Sequence, residues 1–401
     1  MRDGWHVEPL SKVCQLINRG ISPVYLDDGG TAVLNQKCIR DHSINYDLGR
    51  RHCVTTKRVS ADKLVRVGDV LVNSTGTGTL GRVAQVRDEP HEPTTVDSHV
   101  TIVRPKDGLF FPEFFGYALI AIENQIQEGG EGCGGQTELA RSKLANDYHV
   151  SFPTSIPEQR RIVAILDEAF EGIATAKANA EKNLQNAREV FEGHLNAVFS
   201  QRGEGWVEKR LGDVCRRITV GHVGPMAKRY KSNGIPFLRS QNIRPFSIDL
   251  DNVVFIDEAF HSSLAKSSLE VGDIAIVRTG YPGTAAVIPE SLGIANCSDL
   301  VIVRPGIDID AHFLAAFFNS QYGKQLVLGK IVGAAQKHFN VSAAKETVIY
   351  IPPVTEQLEI IRAANEMREE TQHLESLYQQ KLAALDELKQ SLLHQAFNGD
   401  L

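Results

Sequence analysis

No apolar stretch in this 401-residue chain is long enough to cross a membrane as a helix. The longest nearly unbroken run, about Phe114 to Ile122, falls well short of the roughly 20 residues a span requires. The N-terminus, Met1-Arg2-Asp3-Gly4-Trp5-His6, lacks the apolar core of a secretory signal. Cysteine is sparse and scattered. Cys14, Cys38, Cys53, Cys133, Cys215 and Cys297 form no close pair, whereas zinc ribbons and disulfide scaffolds need clustered spacing. We therefore expect reduced thiols and a cytoplasmic protein. No G-x-x-x-x-G-K-[ST] phosphate loop is present, which argues against an ATP-driven motor. Pro352-Pro353 follows Ile351 rather than Asp or Asn, so the amino-methyltransferase signature is missing. The 13 histidines show no H-E-x-x-H pairing. His99 has Asp299 at its repeat-equivalent place, so it is no constant metal ligand. Asp69 and Asp273 each stand alone in a Val-Gly-Asp turn, without the carboxylate cluster and lysine of a metal-dependent nuclease. We expect no catalytic residue and no metal site in this chain.

What remains is the composition of a folded protein, 42% hydrophobic and 23% charged. The length suggests roughly two to four structural units. The net charge of −6 is unevenly spread: −2 over 1–150, −2 over 151–200, +3 over 201–350 and −5 over 351–401. A global excess of acid therefore does not exclude nucleic-acid binding, because the position of the positive charge decides.

The chain is a tandem repeat with a period near 200 residues. Trp5-x4-Leu10-x2-Val13-Cys14-x2-Ile17 returns as Trp206-x4-Leu211-x2-Val214-Cys215-x2-Ile218. Val67-Gly68-Asp69-Val70 returns as Val271-Gly272-Asp273-Ile274, and Ile102-Val103-Arg104-Pro105 as Ile302-Val303-Arg304-Pro305. Pro153 with Glu158-Gln159 returns as Pro352 with Glu356-Gln357, and Leu195-x3-Phe199 as Leu393-x3-Phe397. The order is the same in both halves.

Each half opens with about 150 residues of mixed character. β-Branched runs such as Val70–Val72, Thr101–Val103 and Val301–Val303 predict strands, and Pro112–Gln127 and Ala311–Leu328 predict helices. Each half then closes on one long helix. In the first, over 157–200, apolar residues recur at 162, 166, 169, 173, 176, 180, 184, 187 and 191. In the second, over 353–401, the stripe is Leu358, Ile361, Ala364, Met367, Leu374, Leu377, Leu385, Leu388 and Leu392. These spacings of mostly three and four residues predict coiled-coil seams, each helix roughly 65 Å long. We expect the two helices to pack on each other, since such a helix would overhang a 150-residue domain about 35–40 Å across.

Gly76-Thr77-Gly78-Thr79-Leu80-Gly81 is a literal G-x-G-x-x-G, but Arg82–Val86 after it alternates like a strand, and its counterpart around Gly280-Tyr281-Pro282-Gly283 loses the spacing. A turn is therefore expected rather than a dinucleotide site.

The strongest electrostatic feature lies between Asp213 and Asp249, where there is no acidic residue. Arg216, Arg217, Lys228, Arg229, Lys231, Arg239 and Arg244 fall there, with His222, Tyr230, Ser240, Gln241 and Asn242. Cations suit phosphates, while Arg, Gln and Asn suit base edges. The equivalent places in the first half hold Asn35, Gln36, Lys37 and Arg40, and a second basic run holds Arg50, Arg51, His52, Lys57 and Arg58. Thr77 and Tyr281, in the two Gly-rich turns, complete the candidate DNA contacts. One scaffold with two sets of polar and basic residues is what two readers of different sequences require.

On these motifs the chain resembles the DNA-specificity subunits of type I restriction–modification systems. The carriers are the repeated openings, the Val-Gly-Asp turns, Ile-Val-Arg-Pro twice, Pro-x-x-x-Pro-Glu-Gln-Arg-Arg-Ile (153–162) with Pro-Pro-x-x-Glu-Gln-x-x-Ile-Ile (352–361), and the terminal Leu-Leu-His-Gln-Ala-Phe-Asn-Gly-Asp-Leu. The resemblance implies an α/β (α+β) pseudo-twofold repeat: two mixed target-recognition domains, 1–156 and 201–352, separated by two long antiparallel coiled-coil helices. It implies that each domain reads one half of a bipartite double-stranded DNA site, that the helices set the spacer, and that two methyltransferase subunits and restriction subunits assemble on the chain. It further implies a non-catalytic chain that binds no cofactor, S-adenosylmethionine belonging to the partner methyltransferase. The first recognition domain is expected to begin almost at Met1. Two other readings share the repeat: a protein-assembly scaffold, which does not need the basic stretch, and an enzyme using the Gly76–Gly81 turn for a nucleotide. A specificity subunit of a methylation-only system is a variant within the family.

Overall fold

In the computed structural model, residues 4–132, 137–226, 228–329 and 339–401 are described; Met1–Asp3 and Cys133 lie outside them. The chain divides into two units, Met1–Asn179 with Lys381–Leu401, and Ala180–Gln380. Each long helix, Ile156–Gln201 and Val354–Asn398, therefore contributes to both.

The first unit is built on two four-stranded sheets. One is antiparallel, in the order Cys14–Arg19, Val100–Pro105, Val70–Asn73, Val83–Gln85. The other runs Thr94–Val96, Thr31–Leu34, Arg50–His52, Tyr25–Leu26, with the first pair parallel. Leu34, Ile39, Leu71, Val96 and Ile102 form one core there. A larger core gathers Leu10, Phe114, Phe115 and Leu119 with Ile162 and Leu166 of the first long helix and Leu393, Ala396 and Phe397 of the second.

The second unit repeats this plan. Its antiparallel sheet is Cys215–Val220, Leu300–Pro305, Ile274–Val277, Ala285–Val287. Its other sheet is Val254–Ile256, Ile235–Leu238, Ala295–Cys297, Ser268–Leu269. Leu195, Phe199, Ile361 and Ala364 of the long helices join Leu211, Phe313 and Phe318 in one core. In each unit, then, the helices pack on each other and are also built into the globular core.

The repeated motifs explain how. Asp69 is 1% exposed and takes a two-pronged ion pair from Arg104, at 2.7 and 2.8 Å, while accepting from the Arg66 amide at 2.8 Å. Asp273 does the same with Arg304 at 2.8 and 2.9 Å and the Glu270 amide. The Val-Gly-Asp turn and the Ile-Val-Arg-Pro strand are thus halves of one buried lock, a pairing that the turn reading of the two aspartates did not contain. Gln159 is fully buried; its Oε1 accepts from Phe111 N at 2.7 Å and its Nε2 donates to the carbonyls of Leu109 and Pro153. Gln357 makes the equivalent bonds with Asp310 N, Asp308 O and Pro352 O. These amides stitch the start of each long helix to its domain, satisfying backbone groups that would otherwise be buried unpaired.

Three expectations change. The helix expected over Pro112–Gln127 breaks at Ile122 into Pro112–Ala121 and Glu123–Glu128. The helix expected over Ala311–Leu328 breaks at the extended Ser320, whose hydroxyl caps the next helix through Gly323 N. Gly323 permits the fold-back, because a Cβ there would lie 1.9 Å from Phe317 O. In the second long helix, Leu358, Leu374, Leu377 and Leu388 of the expected stripe are 42–52% exposed, while Thr371 is buried. Glu375, Tyr378, Leu382 and Lys389 are half-buried. The inward face is partly polar, so apolar spacing alone picked a stripe that straddles two faces. The helices run antiparallel within each unit: Lys177 pairs with Asp386 in the first, Arg188 with Glu375 in the second.

Candidate nucleic-acid interface

In each unit the sheet ends, a 3-10 turn and a glycine hairpin converge. In the first unit, Thr31–Leu34 runs into the turn Gln36–Cys38, where Asn35 Oδ1 caps the Lys37 amide at 2.8 Å. That turn touches the loop between Val70–Asn73 and Val83–Gln85, since Asn73 Nδ2 donates to Gln36 O at 3.0 Å. The loop holds the G-x-G-x-x-G. Its Gly76, Gly78 and Gly81 all have positive φ, and it joins two strands, as a turn should. The loop also meets His99, whose Nδ1 lies 2.7 Å from the Thr75 hydroxyl.

A shallow depression beside this turn is lined by Tyr25, Asn35, Gln36, Lys37, Arg50 and His99, with Asp97 in it. Four expected contact residues are thereby brought together. Arg50 lies with its guanidinium carbon 3.4 Å from the centre of the Tyr25 ring. Burial, with Asp97 nearby, raises the Tyr25 hydroxyl above its ordinary pKa, against the pull of Arg50. Burial likewise raises Asp97. Tyr25 carried no signal in the sequence, because its role depends on a strand pairing, Tyr25↔His52, that places it beside Arg50.

Other first-half candidates are placed differently. Arg51 is tied to Glu92 at 2.5 Å, which raises its pKa. Lys57 is exposed and reaches the Ser22 carbonyl at 3.3 Å; Arg58, Arg40 and Thr77 are exposed. His52 is fully buried and holds Val24 N and Lys57 O, so it shapes the chain rather than facing a ligand.

The second unit splits the acid-free stretch. Arg216 and Arg217 sit at the start of Cys215–Val220 and donate to the carbonyls of Pro305 and Lys266. His222 lies past the other end of that strand, bridged to Ser298, and Ser298 N donates to Leu238 O next to Arg239. Tyr281, 84% exposed, tips the hairpin at this same end, beyond the Val277↔Leu300 pairing. So His222, Arg239 and Tyr281 share an end of the sheet, and Arg216 and Arg217 do not. The stretch is acid-free in sequence but not in space: Lys231 faces Asp257 at 3.7 Å, and Arg244 faces Asp249 at 3.0 Å. The Asp251 amide and Arg244 together hold the Asp249 carboxyl below its ordinary pKa. Arg229 lies over Phe260, and Lys228 and Gln241 are exposed. Arg239 lies 5.7 Å over Tyr230 and donates to Asn252 O. Asn242 is a correction. It is 1% exposed, and its amide is spent on Arg239 N and Asp249 O, so it fixes the turn and does not contact a ligand.

Among the described residues no three His, Cys, Asp or Glu side chains converge as a metal site would need, and no helix is long and apolar enough to cross a membrane.

No protein-family model matches the chain. Over its whole length it is 25% identical to the type I restriction enzyme EcoKI specificity subunit of Escherichia coli K12, covering 89% of that protein. It is 21% identical to the EcoBI specificity subunit of Escherichia coli over 84% of the chain and 80% of the relative. It is 25% identical to the StySPI specificity subunit of Salmonella potsdam over the whole chain and 89% of the relative. Among solved structures, a chain from work on assembly and conformational transition of a type I R-M system matches with a TM-score of 0.81 at 18% identity, covering 100% and 99% of the two chains. The HsdS subunit from Thermoanaerobacter tengcongensis matches at 0.58 and 18%, covering 100% and 98%. The family named from the repeated motifs is the family of these relatives, and the fold is theirs.

Proposed function

We infer that this chain is the DNA-specificity subunit of a type I restriction–modification complex, a non-catalytic reader. Each unit reads one half of a bipartite double-stranded site. The observation that carries this is the pair of equivalent turns, 35–40 and 239–244, which keep one backbone plan while Asn35, Gln36 and Lys37 give way to Arg239, Ser240 and Gln241. A scaffold binding the same protein twice would need the same residues twice.

In this reading Arg50, Gln36 and Lys37 on one unit, and Arg239, Gln241, His222 and Tyr281 on the other, face the duplex. Cations such as Lys57, Arg58 and Lys228 take phosphates, which position without specifying. The two long helices set the spacer between half-sites. Two modification subunits, which would bind S-adenosylmethionine, dock against the helical regions, and restriction subunits complete the nuclease. The exposed Leu374 and Leu377, neighbours on one face of the second long helix, supply an apolar patch suited to a partner subunit.

Methylated-base sequencing of a host expressing this chain with its modification subunit tests the reading. The expected result is one split motif with a fixed gap, lost when the chain is deleted. An assembled complex that methylates no such motif would overturn it in favour of the scaffold. Inserting one helical turn into both long helices should change the gap; an unchanged motif would refute the ruler.

A further inference from the structure

We propose that Arg50, laid on the ring of Tyr25, reads a guanine in the major groove of one half-site. This rests on the DNA-reading function above and gives it a base and a residue. Three observations carry it.

First, Arg50 is exposed and makes no salt bridge among the described residues, whereas the adjacent Arg51 is tied to Glu92. At 3.4 Å from the ring centre, the guanidinium is in stacking contact with Tyr25. Stacking occupies the face of the group and the Tyr25 hydroxyl engages one of its N–H groups, so the guanidinium is ordered before a ligand arrives, with its remaining N–H groups at the edge. A fixed fork matches the paired acceptors O6 and N7 of guanine.

Second, the surroundings suit a base edge better than a phosphate. The depression holds the half-buried Gln36 amide beside the exposed Lys37, with Asn35 fixed by Lys37 N and Leu48 O and the buried Asp97 held by His99 N at its base. A phosphate site would gather several cations; a base pair, which offers donors and acceptors side by side, needs this mixture.

Third, the other unit also sets an arginine near the tyrosine of this edge, more loosely, at 5.7 Å against 3.4 Å. Its arginine is Arg239, which stands where Asn35 stands, over Tyr230. Arg50's own counterpart is Val254, since both open the strand that pairs with the equivalent central strand. Tyr230 occupies the place of Tyr25, because Lys231 pairs with Phe255 as Leu26 pairs with Arg51, so the tyrosine is kept while the arginine beside it comes from a different position.

The test uses the complex assembled with modification subunits and duplexes in which each guanine of the site is replaced singly by 7-deazaguanine, which lacks N7. Wild-type complex should lose roughly ten-fold to hundred-fold in affinity at one guanine. Arg50→Ala should bind the natural site that much more weakly and become indifferent to 7-deazaguanine at that position alone, while keeping its response in the other half-site. Arg50→Lys should not restore the response, because a lysine cannot bond two acceptors in plane. Tyr25→Ala should blunt it and Tyr25→Phe keep it. Two results overturn the proposal. One is an Arg50→Ala complex as sensitive as wild type at every guanine. The other is an equal loss on all DNA with a salt slope shallower by about one, the mark of a phosphate contact. Both differ from failure of the underlying function, in which wild-type complex would show no split motif at all.

Discussion

Removing Asp69 should cost far more than removing its repeat counterpart Asp273, although the two make the same bonds. Asp69→Ala leaves Arg104, whose side chain is 10% exposed, with a buried charge and the Leu64 carbonyl as its one remaining hydrogen-bond partner among the described residues. Breaking a buried pair in this way costs about 3–5 kcal/mol, mostly because the surviving charge is stranded. Asp273→Ala leaves Arg304 better placed. Its side chain is 19% exposed, and Glu270 still bonds it at 2.7 Å. Solvent and the second carboxylate should reduce the loss by about half. For a unit of about 200 residues, where 1 kcal/mol moves the midpoint by about 2–4 °C, Asp69→Ala should lower the first unit's transition by about 6–20 °C. Thermal unfolding of the whole chain, with hydrogen exchange assigning each transition to its unit, measures both. Asp69→Asn should fall between, since it keeps acceptors and loses the charge. The reasoning is refuted if Asp273→Ala destabilises its unit as much as Asp69→Ala does, or if Asp69→Ala costs less than about 1 kcal/mol.

Gln159→Ala and Gln357→Ala each leave three backbone groups, one buried and two half-buried, without their partner and should cost about 2–4 kcal/mol, with faster hydrogen exchange at Leu109–Phe111 in one variant and Asp308–Asp310 in the other. The hydroxyls of Thr55 and Thr56 lower the Cys53 thiol to about 7, whereas burial pushes Cys14 and Cys215 up to about 12. A lowered pKa means more thiolate at neutral pH, so maleimide labelling of native Cys133→Ser chain should fall first on Cys53, with a midpoint near pH 7 that rises when both threonines become valine. Arg244→Ala should weaken DNA binding less than Arg239→Ala, because Arg244 is already committed to Asp249; filter binding at two salt concentrations measures both.

The duplication, the strand runs and the two long helices were legible because each is a local pattern, a spacing or a recurrence. What stayed hidden depends on contacts across sequence. Asp69 and Arg104 were both singled out as repeated, yet nothing in a linear reading joins residues 35 apart. The second helix shows the same limit from the other side. Leu374 and Leu377 fit an apolar seam by spacing, but the face turned inward carries Thr371 and Tyr378, a choice made by the packed neighbour and not by the helix itself. At the candidate interface, the basic stretch included the turn around Arg239, which the fold sets at the sheet end beside the glycine hairpin, yet counted as free charges some that the fold pairs with Asp249 and Asp257. Tyr25 was missed because an isolated tyrosine means nothing until a strand sets it beside Arg50.

The positions that stay the same between halves and those that change fall into physically different classes. Asp69 and Asp273, Arg104 and Arg304, Gln159 and Gln357 keep their identity, and each satisfies buried polar groups whose geometry the fold dictates. The hairpin tips that lean on the helices already tolerate change. His42 sits between Glu123 and Lys389 in one unit, while Phe246, also at positive φ, meets Phe191 and Arg368 in the other. The exposed turns change most. A symmetric dimer of one domain can read only a palindrome, because its symmetry is copied into the site. Joining two copies in one chain removes that constraint, provided that the buried locks hold the two backbones alike while the surface residues diverge. Arg50 against Tyr25 and Arg239 near Tyr230 are such a divergence: the tyrosine keeps its place while the arginine beside it moves to a different strand position, which under the proposed function would shift where each unit contacts its half-site.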